Sequence, residues 1–405
     1  MKLTRSGFLK SLAGLTFASL PWSKTGLLLS AQAAAGQPAR TMQIEDVEIY
    51  PFNVPYREPF RIALGTITAA ENVLVRLRTR EGVVGWGESC PYWAVTSETQ
   101  ATNLAIGKDL ATFIRGRDPF TLGAIMAEMD GFTPANTSMK AALEMAIWDI
   151  CGKLAGQPVY KLLGGYRDSF ETDITIGMGS PAEMASKAAK HVQGEGFKTL
   201  KIKLGEGPDP DTLRMKAIRE AVGDDIKLRT DANQGWTAAE TVHALRMMEK
   251  YQMQICEQPV PYWDVDGLKF ARDNSPTPIM ADESVHSPHD AFAVAREDAV
   301  DCINIKLMKS GGILRGAQIA TVAASAGVTC MVGCMFETRV GLTAGAHLVA
   351  SQKNVVYADL DAFFELSVDP VMGGMQVQDG IVTLPKTPGL GVDIDPAFLS
   401  KLHRI

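Results

Sequence analysis

Thr199-Leu200-Lys201-Ile202-Lys203-Leu204 is the stretch on which the reading of the fold turns. Side chains on a strand alternate between its two faces. Leu200, Ile202 and Leu204 therefore share one face, and Lys201 and Lys203 share the other. If the aliphatic face packs on helices, both amines point into the interior. A solvated edge strand would also carry such a face. Burying an unpaired charge is costly, so interior lysines need partners of opposite sign.

Those partners come from the strands that follow. Short apolar runs recur at 173–177, 199–204, 226–230, 254–256, 279–281, 302–305, 328–332 and 355–358, most of them followed by an amphipathic helical stretch. Strands alternating with helices imply right-handed βαβ units and a parallel sheet. Eight such units suit a closed (β/α) barrel. The alternative, an open doubly wound sheet, lacks a G-x-G-x-x-G after an early strand. Asp231, Glu257 and Asp282 fall at the C-terminal ends of the third, fourth and fifth runs, about one β/α unit apart. Active sites of barrels are built at those ends.

Each acid alone could be a helix N-cap; all three together point to a cation. Converging carboxylates repel one another and their pKa values rise. A hard divalent ion with oxygen ligands relieves this, and Mg²⁺ leaves coordination sites open for substrate. Lys306 ends the sixth run, so across a barrel it faces Lys203 on the second. Two amines flanking a metal suit removal of a proton from one face of a carbon acid and delivery to the other. A lysine base needs a lowered pKa, which the metal and, for Lys203, the neighbouring Lys201 would provide. Mg²⁺ on a substrate carboxylate would stabilise the enediolate formed. A Schiff-base role for Lys306 is the other reading, but it does not require the three acids.

The ordered set Lys201-Ile-Lys203, Asp231-Ala-Asn233-Gln-Gly-Trp236, Glu257-Gln-Pro259, Ala281-Asp282-Glu283-Ser284 and Asn304-Ile-Lys306 resembles the enolase superfamily, muconate lactonising subgroup. In that superfamily a lysine or histidine base works with Mg²⁺ on an enediolate. The resemblance covers nearly everything after the first 40 residues. It implies a modified (β/α)7β barrel over 166–362, an N-terminal α+β capping domain over 42–165, and a C-terminal segment, 363–405, returning to the capping domain. Asp359-Leu360-Asp361, at the end of the eighth run, is similar to the D-x-D of the dipeptide epimerases. There the two acids bind the substrate's α-ammonium group, which suits a pair of carboxylates at short range. By the same resemblance Lys203 and Lys306 are the acid/base pair and Lys201 supports them. Asp231, Glu257 and Asp282 would hold one Mg²⁺.

The implied reaction is inversion of the α-carbon of the C-terminal residue of a dipeptide. N-acylamino acid racemisation, o-succinylbenzoate synthesis and muconate cycloisomerisation use the same scaffold, but their substrates lack a free α-ammonium. An exported peptide-binding protein without turnover would not need the opposed lysines. Ala-Glu epimerases commonly carry an arginine in the capping loop; here that loop reads Pro59-Phe60-Arg61-Ile62-Ala63-Leu64-Gly65-Thr66, with Leu64-Gly65 where the arginine is expected. Arg61 or Arg57 could substitute, or the preferred side chain is apolar.

In the capping region, 42–50 and 72–78 alternate like strands, a turn follows at Glu81-Gly82, and 83–87 gives a third; 99–163 reads as helical. After residue 363 a strand-like run spans 377–382. Charged residues make up 21% of the 405 and the net charge is −6, which argues against a nucleic-acid groove. The first 33 residues carry Lys2, Arg5, Lys10 and Lys24 and no acid, then an apolar stretch and a small-x-small Ala31-Gln32-Ala33. This reads as an export signal, twin-arginine-like with Ser6 in place of the second arginine, and predicts a periplasmic protein. No apolar run reaches the ~20 residues of a membrane span. The six cysteines show no metal-knuckle spacing and read as buried thiols, though an oxidising compartment allows a Cys330–Cys334 pair. A homo-oligomer is left open.

Overall fold

The computed structural model describes residues 42–405. The reading of 1–33 as an export signal lies outside them. Eight parallel strands form one sheet in chain order: Ile174–Ile176, Thr199–Lys203, Lys227–Asp231, Met253–Glu257, Ile279–Ala281, Cys302–Lys306, Thr329–Gly333 and Val355–Ala358. The last meets the first through Asp173 N–H to the Ala358 carbonyl (3.2 Å) and Thr175 N–H to Asp361 Oδ2 (2.6 Å). These are the eight expected strands, and the second and sixth stand four apart around the ring. Leu200, Ile202, Leu228, Ile303, Ile305 and Val332 belong to the main apolar core, packed outward with helix residues such as Met215, Leu245 and Ile319. Capping boxes at Ser180, Thr237 and Ser287 start three of the helices, each satisfying otherwise orphaned N–H groups.

The capping sheet is larger than its sequence suggests. Its first strand runs Ile44–Ile62 and pairs antiparallel with Gly65–Thr79, which pairs with Val84–Ser89. Reading the first strand as ending at residue 50 undercounts it because Pro51, Pro55 and Pro59 follow. The strand lies at the sheet edge and its register shifts between Pro55 and Phe60, the two settings in which strands accept proline. The extra length carries Phe60 and Ile62 to the barrel mouth. The buried helix Thr137–Ala155 lies directly on the third strand. A Cβ at Gly87 would stand 1.9 Å from the Ala142 carbonyl oxygen, and one at Gly85 2.1 Å from that of Ala146; glycine alone allows this approach.

Buried carboxylates of the capping domain bind the N-termini of two barrel helices, where backbone N–H groups and the helix dipole favour negative charge. Glu144 accepts from Ile313 and Leu314 N–H at 2.9 and 2.7 Å. Glu88 accepts from Thr338 and Gly341 N–H at 3.0 Å each. The run 377–382 is not one strand: a turn at Asp379-Gly380 divides it into Gln376–Gln378 and Ile381–Thr383, and the latter pairs with Ser169–Glu171. The tail meets the capping domain through Trp86 Nε1–H to Asp393 (2.9 Å) and Ile405 N–H to the Ile49 carbonyl (3.1 Å). All six cysteines are buried free thiols, so Cys330 and Cys334 are not bridged. No helix among the described residues is long and apolar enough to cross a membrane.

His347 joins three segments. Its Nδ1 accepts from Tyr160 N–H and its Nε2–H donates to the Leu390 carbonyl, both at 3.1 Å. Burial pushes its pKa down to about 4, only partly offset by the Leu390 bond. The unfolded chain then binds the proton first, so stability is full above about pH 6.5 and falls as pH drops towards 4, by up to roughly 3 kcal/mol. We expect His347→Gln to flatten chemical-denaturation stability across that window; an unchanged slope would show that His347 is not the sensor.

Candidate active site

The five charged strand ends meet at one mouth of the ring. In the ladder Lys203 is the register partner of Asp231, and Asp231 of Glu257. Lys203 Nζ lies 2.7 Å from Asp231 Oδ2. Lys201, one layer deeper, touches three carboxylates: Asp359 at 2.7 Å, Glu257 at 2.8 Å and Asp231 at 3.2 Å. Across the ring Lys306 Nζ stands 2.8 Å from Asp282 Oδ2. Lys201, Lys203, Lys306, Asp359 and Asp361 all line one pocket, flanked by Tyr56, Phe60, Ile62, Tyr92, Val95, Met335 and Phe336.

The electrostatics of the acid trio ask for a cation. Burial first, and then the charge of Asp231, push Glu257 up to about 7. Asp282 is fully buried, yet Lys306 and then Lys309 outweigh burial and hold its pKa well below the usual carboxylate range. Those amines stand 2.8 and 2.7 Å from its oxygens, as ion pairs that a bound cation would have to displace or share. Asn233 Oδ1 and Glu283 Oε2 are also buried and have no hydrogen-bond partner among the described residues. Glu283 is itself pushed up to about 8, by burial and then by Asp282. Three oxygen-bearing groups that repel when ionised fit a hard divalent ion, as the trio implied from the sequence.

Lys306 departs from expectation. Burial disfavours its charge, but Asp282 chiefly, with Glu257 and Glu283, holds its pKa above the ordinary lysine value. The sequence shows the acids only as a metal set; in space Asp282 is also the ion-pair partner of the base. A cation bound to Asp282 competes for that carboxylate and weakens the restraint.

The aspartate pair is asymmetric. Asp359 is held below the usual range by Lys201 and then Lys203, against the effect of burial. Asp361 accepts from Thr175 N–H at 2.6 Å, and burial and then Asp359 push it up to about 7. Lys201 thus neutralises one carboxylate and leaves its neighbour short of a cation. Their oxygens and Cys334 Sγ lie within 4.8 Å of one another.

Arg61 is not brought to this pocket. Its guanidinium pairs with Glu206, which also binds Arg214, and its side chain is half exposed. Arg57 donates to the Leu366 carbonyl at 2.9 Å. Several contributors carry no role in the sequence reading. Lys309 is buried, touching Asp282 Oδ1 at 2.7 Å and the carbonyls of Val285 and Asn304 at 3.0 Å, and so fixes the end of the fifth strand. Its i+3 spacing from Lys306 was the visible signal. Asn304 donates to Glu257 at 2.7 Å. The aromatic wall left no signal, because Tyr56 comes from the long first strand and Tyr92 and Phe336 from two separate loops.

The N-terminal domain of mandelate racemase and muconate lactonizing enzymes matches residues 44–164, and the enolase C-terminal domain-like family matches residues 183–398. The chain belongs to the enolase superfamily. Among curated superfamily members, a hydrophobic dipeptide epimerase of Enterococcus faecalis is 44% identical over 87% of this chain and 99% of its own. An L-Ala-D/L-Glu epimerase of Bacillus subtilis is 42% identical over 87% and 97%. The Enterococcus faecalis dipeptide epimerase, solved with Mg and L-Leu-L-Tyr, superposes with TM-score 0.85, covering 87% of this chain and all of that one. The dipeptide epimerase of Cytophaga hutchinsonii, solved with Mg and D-Ala-L-Val, gives 0.88 at 37% identity over 90% and 99%.

The buried charge balance yields an expectation about metal. A divalent ion that binds only the folded trio should raise the melting temperature, by an amount that grows with the logarithm of its concentration above Kd. We expect Mg²⁺ to do so, and Asp282→Asn to lose most of the rise while keeping a cooperative melt. An equal rise in the variant would place the ion elsewhere.

Proposed function

We propose that the protein is a Mg²⁺-dependent dipeptide epimerase, an isomerase that inverts the α-carbon of the C-terminal residue. The observation that carries the reading is the placement of two lysines on opposite strands of the ring, with an oxygen-ligand trio between them and an aspartate pair beside them. Asp231, Glu257 and Asp282 are the residues that would hold the metal. When bound, Mg²⁺ supplies positive charge beside the substrate carboxylate, which lowers the cost of ionising the adjacent C–H.

The chain's own groups do the rest. Asp361, with Asp359, holds the free α-ammonium and so sets the orientation of the dipeptide. Lys203 takes or returns the α-proton on one face and Lys306 on the other. Lys201 keeps Asp359 ionised and spaces the trio from the pair. The walls formed by Tyr56, Phe60, Ile62, Tyr92, Val95 and Phe336 exclude water and favour an apolar C-terminal side chain. The engagement of Arg61 by Glu206 supports the same preference, as does the likeness to an epimerase of hydrophobic dipeptides.

The two-base scheme has a stereochemical signature. In D₂O with Mg²⁺, Lys203→Ala and Lys306→Ala should each lose epimerisation, and each should exchange the α-proton of only one epimer, the two variants choosing opposite ones. Undiminished epimerisation in either variant, or exchange of the same epimer by both, would contradict the scheme.

We also propose that the protein is exported, on the strength of the basic, apolar and small-residue order of the first 33 residues. N-terminal sequencing of the periplasmic protein is expected to start near Ala34. An intact Met1 there would end that reading.

A further inference from the structure

Glu365 is out of character with its surroundings. It lines the same pocket as Asp361 and Lys306, next to the aromatic and aliphatic part of the wall. It also lines a smaller neighbouring cavity with Phe60, Thr175, Gly177, Lys187 and His191. With Arg57, Lys187, Lys190 and Arg339 it lines a wider cleft as well, so the residue stands between the pocket and that cleft. Burial raises its pKa, and its side chain makes no hydrogen bond among the described residues. Of the cations around it, Lys187 pairs with Glu58 at 2.7 Å and His191 with Glu195 at 2.9 Å, while Lys190 and Arg57 form no ion pair among the described residues. The carboxylate is partly buried, and a cationic ligand group would offset its partial desolvation.

Its place relative to the ammonium subsite is rigid. Asp361 and Glu365 flank a single 3₁₀ turn, Ala362–Phe364, closed by Phe364 N–H to the Asp361 carbonyl (2.9 Å) and Glu365 N–H to the Ala362 carbonyl (3.1 Å). Arg57 N–H donates to the Glu365 carbonyl at 2.8 Å and pins the far end. At about 2 Å of rise per residue the two backbone positions stand roughly 8 Å apart along the turn. A flexible four-carbon chain extending from an ammonium at Asp361 has the length this spacing asks for.

Resting on the epimerase reading, we infer that Glu365 selects the side chain of the substrate's N-terminal residue and favours lysine or arginine there. The substrate class is then a dipeptide with a cationic first residue and an apolar second one. Glu365 is a specificity residue at the wall of the pocket and takes no part in proton transfer.

The test is a panel of Lys-, Arg-, Met-, Ala- and Glu-Phe dipeptides, with kcat/KM read from α-deuterium incorporation with Mg²⁺. The wild type should favour Lys-Phe over Met-Phe by about tenfold or more, with Glu-Phe poorest. Glu365→Gln should bring the Lys/Met ratio towards one, and Glu365→Lys should favour Glu-Phe over Lys-Phe. The reversal is a gain that misfolding does not produce; if the lysine variant fails to fold, the glutamine ratio decides. A wild-type ratio near one, or a ratio that Glu365→Gln leaves unchanged, would overturn the inference while leaving the epimerase reading intact. Exchange with no member of the panel or of a wider dipeptide set would instead bring down the epimerase reading and this inference with it.

Discussion

Negative charge in excess of positive, sealed inside a ring of strands, is the constraint from which the rest of the structure follows. Asp173, Asp231, Glu257, Asp282, Glu283, Asp359 and Asp361 are all buried, and so are Lys201, Lys203, Lys306, Lys309 and Arg229. Seven acids against five bases leave the interior short by two positive charges when all are ionised. Burial, and after it repulsion from neighbouring acids, raises Glu257, Glu283 and Asp361 to about 7, 8 and 7. A divalent ion among the trio would relieve the first two. A substrate ammonium would relieve the third. Such a site is neutralised by its ligands, which ties binding to the correct charge pattern on the substrate.

The capping domain supplies shape rather than charge. Its extended hairpin delivers Tyr56, Phe60 and Ile62, and the loop after its third strand delivers Tyr92 and Val95. Glu88 and Glu144 lock it to barrel helices by accepting from their first N–H groups. The capping domain thus shares the shaping of the pocket with Phe336 and Glu365, which follow barrel strands, while the strand ends carry the charged chemistry.

Much of this was legible in the residues. Alternation in Leu200–Leu204 put both lysines inward, and the recurrence of acids at run ends placed Asp231, Glu257 and Asp282 on adjacent strands. Both follow from local periodicity, which a parallel barrel preserves. What was hidden depends on long-range packing. The hairpin over Ile44–Ile62 was masked by three prolines that only its edge position and bulge accommodate. Arg61 looked like a ligand for a substrate side chain until Glu206, far along the chain, claimed it. Glu365 reads as an ordinary acid in sequence; only the turn after Asp361 sets it in the pocket wall.

The central claim is that two amines approach one α-carbon from opposite sides. Its most direct test is a crystal structure with Mg²⁺ and a slowly reacting dipeptide. The account predicts Lys203 Nζ and Lys306 Nζ on opposite faces of the substrate α-carbon, each within about 3.5 Å of it. Both nitrogens on one face, or a substrate carboxylate bound away from Asp231, Glu257 and Asp282, would contradict it.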